Sequence, residues 1–295
     1  MEDSSMEKAK VYFTKKIVPE SLLALYERMG VALPGKVAVK LSTGEAGNPN
    51  YLNPDLIKDL VQKVNGTIVE CNTAYQGKRY CAQDHYKVAE DHGFTKIAPV
   101  DIMDEDGEIS LPVVGGRHMK ENFVGKNLEN YDSVLVLSHF KGHPSGGFGG
   151  ALKNISIGIA SRHGKEWIHS AGVERENFWH SPQDDFIESM AEAAKSVIDY
   201  FSPENMVYIS VANNLSVDCD CVATPEPCCM ADIGVFASTN PVALDQACMD
   251  AIYQSEDSGR DHMIERMESR HAALILSHSE EMGVASREYD LICLD

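Results

Sequence analysis

The sequence predicts an α/β fold: a parallel or mixed sheet with flanking helices. Three observations carry the prediction. Short β-rich apolar runs recur between helical patterns along the 295 residues. Two of the helical patterns open on an Asn-Pro pair, at 53–54 and 240–241. One apolar run, SVLVLS (133–138), feeds straight into the glycine-rich stretch HFKGHPSGGFGGALKN (139–154), and sheets of this class hold ligands beyond the carboxyl ends of their strands. The alternation is compatible with one body or with two lobes around a central cleft.

In chain order, strands are expected at KVYFT (10–14), VAVKL (37–41), TIVEC (67–71), SVLVLS (133–138), MVYISV (206–211) and DIGVFAS (232–238). Helices are expected at 19–30 and 53–66, each closed by glycine, then at 82–93, 181–201 and 240–253. In the 181–201 helix Ser181 is the expected cap, Pro182 fits the first turn, and positions 186, 187, 190, 194, 197, 198 and 201 form one apolar stripe. The charged stretch 254–270 reads as an exposed helix or a connection.

The net charge of −19 repels phosphate backbones, and no Lys/Arg run offsets it, so nucleic acid is not an expected partner. No segment nears the roughly 18 uninterrupted apolar residues of a membrane span, and the charged start MEDSSMEKAKVYF lacks a signal-peptide core. A cytoplasmic location is the expectation. The eight cysteines are then free thiols or ligands rather than a disulfide framework.

The 139–154 stretch matches neither the Walker loop nor G-x-G-x-x-G. Gly146, Gly147, Gly149 and Gly150 would let backbone N–H groups approach a ligand, and a helix starting near Ala151 would aim its first amides at an anion. Lys141, Lys153 and Asn154 add charge and polarity, while His139 and His143 suit proton transfer or metal ligation. The competing reading is a glycine-rich turn with surface histidines. SRHGKEWIHS (161–170) extends the cationic set through Arg162, His163, Lys165 and His169. In so acidic a chain this points to a small anionic substrate or cofactor, against the alternative of a solvated face. In DCDCVATPEPCC (218–229), Cys219 and Cys221 would share one face of an extended strand, whereas adjacent Cys228 and Cys229 would diverge. A four-thiolate metal site thus competes with simply buried thiols. Lys40, Glu45, Asn48, Asn72, Tyr75, Arg79 and His85 stand on glycine-broken loops after two strands, where turn chemistry alone also explains Asn and Gly.

Read together, VAVKLSTGEAGNPNYLNP, CNTAYQGKRYCAQDH, the long block from VLVLSHFKGH to ASRHGK, CDC and DIGVFASTNPVALDQACMD resemble, in order, the domain-of-unknown-function family 362, whose members are often described as iron–sulfur centre proteins. The resemblance implies one domain over residues 8–293, with or without two sub-lobes, after a tail of residues 1–7. Many relatives carry a ferredoxin-like insertion after the SRHGK-like segment. Here the chain passes from His169 to Ser181 without a cysteine, so no ferredoxin-type cluster motif is present. The order His143, GFGG, Lys153 is also similar to the nickel-dependent lactate racemases, where the lysine tethers a nucleotide cofactor.

The favoured expectation is a metal- or cofactor-dependent enzyme, oxidoreductase or isomerase, acting on a small anionic molecule. His139, His143 and Lys153 are its candidate catalytic groups. Lys141, the loop glycines, Asn154, Glu45, Asn72, Arg79, Arg162 and Lys165 are the candidates for holding a ligand. Zinc, iron, nickel or a nucleotide-like group is the expected cofactor. The alternatives are an electron-transfer or metal-carrier protein, with a redox partner, using Cys219, Cys221, Cys228 and Cys229, with His143 as a further metal ligand, or a binding module that has kept an old site.

Overall fold

A computed structural model describes residues 8–174 and 176–295; the expected tail, 1–7, lies outside the described residues. The elements begin with β1 (Ala9–Thr14), α1 (Pro19–Met29), β2 (Val37–Lys40), α2 (Pro54–Lys63), β3 (Thr67–Glu70), α3 (Ala82–Asp91) and β4 (Val100–Ile102). A hairpin of β5 (Glu108–Pro112) and β6 (Glu121–Gly125) follows. Next come β7 (Ser133–His139), a short hairpin of β8 (Lys141–His143) and β9 (Gly147–Gly149), α4 (Ala151–Ser156), α5 (Arg162–His169) and α6 (Gln183–Phe201). The chain closes with β10 (Met206–Ala212), β11 (Gly234–Ser238), α7 (Pro241–Tyr253), α8 (Arg260–Ser269), α9 (Leu274–Glu281) and β12 (Tyr289–Cys293).

Eight strands form one sheet in the order β12-β1-β11-β10-β7-β2-β3-β4. Only β11 runs against its neighbours. All seven residues of β7 are buried, as expected of a central strand covered on both faces. Alternate side chains divide between two cores. Val39, Leu135, Leu137 and Ile209 pack with Leu22, Leu25, Ile57 and Leu60 of α1 and α2. Ala38, Val134, Val136 and Tyr208 pack with α4, α6 and α7 on the other face.

The topology fixes where a site can sit. From β2 the sheet grows one way through β3 and β4; from β7 it grows the other way through β10. The crevice beyond the carboxyl ends of β2 and β7 is therefore a topological switch point, where no crossover covers the strand ends. Lys40 ends β2 and His139 ends β7.

Three local expectations are corrected. The long helix begins at Gln183 with Pro182 in the capping position, and the Ser181 hydroxyl makes no cap. Its expected stripe is buried, but so are Ser189, Glu192 and Ser196, because α6 packs against α4, α5 and α9. The charged 254–270 stretch contains α8, which is not wholly exposed: Met263 and Met267 enter the core. No helix among the described residues is long and apolar enough to cross a membrane.

Candidate active site

The switch-point crevice is a cavity of about 350 Å³. Its walls carry five cationic side chains, Lys40, Arg79, Lys141, Lys153 and Lys165, and one carboxylate, Glu70. In a chain of charge −19 this is a local inversion of sign. Two of the cations are neutralised from behind. Arg79 faces Glu70 at 3.4 Å and Glu45 at 3.6 Å; Lys141 pairs with Asp220 at 3.1 Å. The polar partners of Lys40 are Leu41 O and Asn154 Oδ1, and that of Lys165 is Ala160 O. Lys40, Lys153 and Lys165 thus form no ion pair among the described residues.

Burial sets the proton affinities here. It lowers Lys40 to about 8, Glu70 pulling the other way while Lys165 and Arg79 reinforce the fall. It also lowers Lys165. Burial opposes ionisation of Glu70, but His85, Arg79 and Lys40 outweigh it and hold that carboxyl well below its ordinary range. The Glu70 carboxylate also accepts hydrogen bonds from the Thr43 N–H and hydroxyl.

The cavity lining also carries sulfur. One ligand atom each from His143, Cys219 and Cys221 lies within 4.8 Å of the others. Cys219 receives the backbone N–H of Cys221 at 3.3 Å. The Cys221 thiol stabilises the Cys219 thiolate, with His143 and Lys153 adding to it, so Cys219 lies well below the ordinary thiol range and Cys221 well above. The pair holds one proton between two sulfurs. His143 Nδ1 accepts the N–H groups of Ser145 and Gly146 at 3.1 and 2.9 Å. The neutral ring then bears its proton on Nε2, 3.9 Å from Cys221 Sγ. Burial, reinforced by Lys153, lowers His143 to about 4.

His139 faces acceptors at both ring nitrogens: Asp220 at 2.8 Å and Asn213 O at 2.6 Å. With Lys141, which also donates to His139 O, it fixes Asp220 and the loop that carries the two cysteines. This is a holding geometry.

The remaining candidates fall into place or apart. Gly149 and Gly150 line the cavity; Gly146 ends the β8–β9 turn and Gly147 opens β9 with φ +79° against Ala272. Asn154 lines the cavity beside Lys40. Glu45 stands behind Arg79 and Tyr75. Asn72 bonds Asp104, and Arg162 lies 3.9 Å over the Tyr80 ring, both off the cavity wall. Cys228 is exposed and Cys229 bonds Leu215 O, so neither joins the trio. The first amides of α4 do not await an anion: Asp245 of α7 takes the Ala151 and Leu152 N–H groups at 2.7 and 2.9 Å. The sequence reading passed over Glu70 and Asp220. Both are visible in the sequence, one next to last in the TIVEC run and the other lying between Cys219 and Cys221.

Comparison with known proteins settles the family. A model for the Domain of unknown function (DUF362) matches residues 37–250, well over half the chain. The chain belongs to that family. The matched span contains the whole cavity wall named above. Among solved structures, the lactate racemase apoprotein from Thermoanaerobacterium thermosaccharolyticum is 16% identical with a TM-score of 0.41, covering 70% of this chain and 51% of that one. A Thermotoga maritima protein is 12% identical with a TM-score of 0.43, covering 89% and 58%. The chain thus spans a little over half the length of either structure. No curated protein matches it.

Proposed function

We propose that the chain is a metal-dependent enzyme acting on a small anionic molecule. One observation carries this reading. The His143–Cys219–Cys221 trio opens onto the same cavity as three lysines that form no ion pair among the described residues. Two sulfurs and one imidazole suit zinc, iron or nickel. Three protein ligands leave a position for substrate, as catalytic sites require. The fit is good at sulfur, where one thiolate is already favoured. At His143 the reaching nitrogen is Nε2, so loading a metal would move the ring proton to Nδ1, which would give up the Ser145 and Gly146 N–H groups. When bound, the metal supplies Lewis acidity toward a substrate oxygen.

The chain's own groups do the rest. Lys40, Lys153 and Lys165 bind the anion. Glu70 and Arg79 form a fixed wall, and Asp220 keeps the cysteine loop in register through His139 and Lys141. Elemental analysis of protein purified anaerobically, then exposed to zinc, iron and nickel in turn, tests the reading. About one metal per chain is expected, lost in the Cys219→Ser/Cys221→Ser variant. Wild-type protein that takes up none of the three overturns it.

The same geometry favours one second reading. Because His143 turns an N–H toward the sulfurs, the Cys219 thiolate could act as a nucleophile without metal. Alkylation of Cys219 unaffected by added metal would select this reading over the first.

A further inference from the structure

We propose that Lys40 is a Schiff-base lysine, forming a reversible imine with the ketone carbon of a small 2-oxo acid bound in the cavity. The proposal rests on the reading of the cavity as an anion site and names the substrate class.

The case is geometric. Lys40 closes β2 at the switch point, is 1% exposed, and still lines the cavity. Its Nζ donates to Leu41 O and, at 3.0 Å, to Asn154 Oδ1. The orientation of Asn154 is fixed by its own Nδ2, which faces Lys40 O, Leu137 O and Ser138 Oγ at 3.1–3.2 Å. Two directions of the nitrogen are therefore taken. The remaining direction holds a proton in the ammonium form and the lone pair in the amine. Room for the side chain is also built in. A Cβ at position 158 would strike the Asn154 carbonyl first and would also stand 2.7 Å from Lys40 Cε and 2.9 Å from Nζ, and the residue there is Gly158.

Chemistry agrees with the geometry. A lysine becomes a nucleophile when desolvation and neighbouring cations favour the free amine. With Lys40 lowered to about 8, its free amine near neutral pH is on the order of a hundredfold more abundant than that of an ordinary lysine. Lys165, whose charge bears on Lys40, is the cation offered to the carboxylate of the oxo acid, and Lys153 lines the same cavity nearer the cysteines. In the reaction the Nζ lone pair adds to the ketone carbon and one Nζ proton passes to the carbonyl oxygen. The second Nζ proton leaves with that hydroxyl as water when the C=N bond forms, releasing the contacts to Leu41 O and Asn154 Oδ1. No electrons are exchanged, and hydrolysis restores amine and ketone.

The test is reductive trapping. Wild-type protein is incubated with pyruvate, and separately with 2-oxoglutarate, in the presence of cyanoborohydride, and its peptides are mapped by mass spectrometry. The expected product is an adduct of one oxo acid less one oxygen atom on Lys40, formed about a hundredfold faster than on exposed lysines. The Lys40→Arg variant should give none at that position. Absence of the Lys40 adduct with both acids, or labelling spread evenly over exposed lysines, overturns the proposal. Mapping the wild-type chain makes the result independent of whether the variant folds. Metal content is measured on the same sample. Trapping without metal uptake removes the metal reading and keeps this one; metal uptake without trapping does the reverse.

Discussion

Two polar sets lie on the α6 side of the sheet, and they are built on opposite principles. In the first, Glu192 of α6 is fully buried and accepts the N–H groups of Arg117, His118 and Met119 at 2.7, 3.0 and 2.8 Å. His278 Nε2 of α9 lies 3.3 Å from Oε1, the oxygen that also takes Arg117 and His118. One turn earlier, Glu188 takes His118 at 2.6 Å and Arg117 at 2.5 Å. Every charge is answered from within, and the set ties α9 and the turn before β6 to α6. The cavity is the other case: Lys40, Lys153 and Lys165 line it without an ion pair among the described residues, and its one lining carboxylate, Glu70, is paired with Arg79. Burying charge without a partner is costly. A fold that tolerates it at a strand-end crevice is arranged for a charge supplied from outside. The closed set does structural work, and the open one marks the site.

The contrast breaks most sharply at Glu192. Replacing it with Ala would strand three backbone donors and His278, a loss of about 3–5 kcal/mol. Urea unfolding measures this, and oxalate binding per folded molecule should be unchanged. A cost below about 1 kcal/mol would show that the set clamps nothing.

A smaller effect lies in pH. Burial alone would lower His278, but Glu192 and Glu281 outweigh it and raise its pKa above the ordinary value. The folded state then binds its proton more tightly than the unfolded chain. The stabilisation is full below about pH 6.5 and is lost as pH rises through the folded value. Unfolding midpoints measured on either side of that range should fall with rising pH, and the fall should shrink in His278→Gln. A slope that persists unaltered in the variant assigns the effect to another group.

Much of this was legible beforehand. The alternation of β-rich runs with capped helices gave the α/β class, and Asn53 and Asn240 do cap their helices. The strand-end position of HFKGH located the cavity. The short edge strand β12 and the β5–β6 hairpin were not legible, because Glu108–Pro112 and Tyr289–Cys293 are polar or half-exposed and lack a continuous apolar pattern. Neither was the division of labour among the histidines. His139 and His143 look alike in sequence, yet one faces two acceptors and the other two backbone donors, and those partners arrive from the 213–220 loop and the β8–β9 turn. The Asp245 cap on α4 comes from 94 residues away, beyond any local pattern.

The smallest expected change in stability is also the most discriminating. Lys165→Met removes a buried ammonium and its repulsion of Lys40 while keeping most of the side-chain volume. Folding stability should move by less than about 1 kcal/mol, or rise, since no ion pair among the described residues is broken. Affinity for oxalate should nevertheless fall by roughly 10- to 100-fold, the worth of one charge-assisted hydrogen bond, as read by calorimetry. Lys40 should respond as well. With Lys165 gone its pKa rises, so its free amine at neutral pH becomes scarcer and the reductive trapping slows. If Lys165→Met instead destabilised the chain as heavily as Glu192→Ala, the cavity wall would be as internally balanced as the α6–α9 set, and its reading as an open anion site would fall.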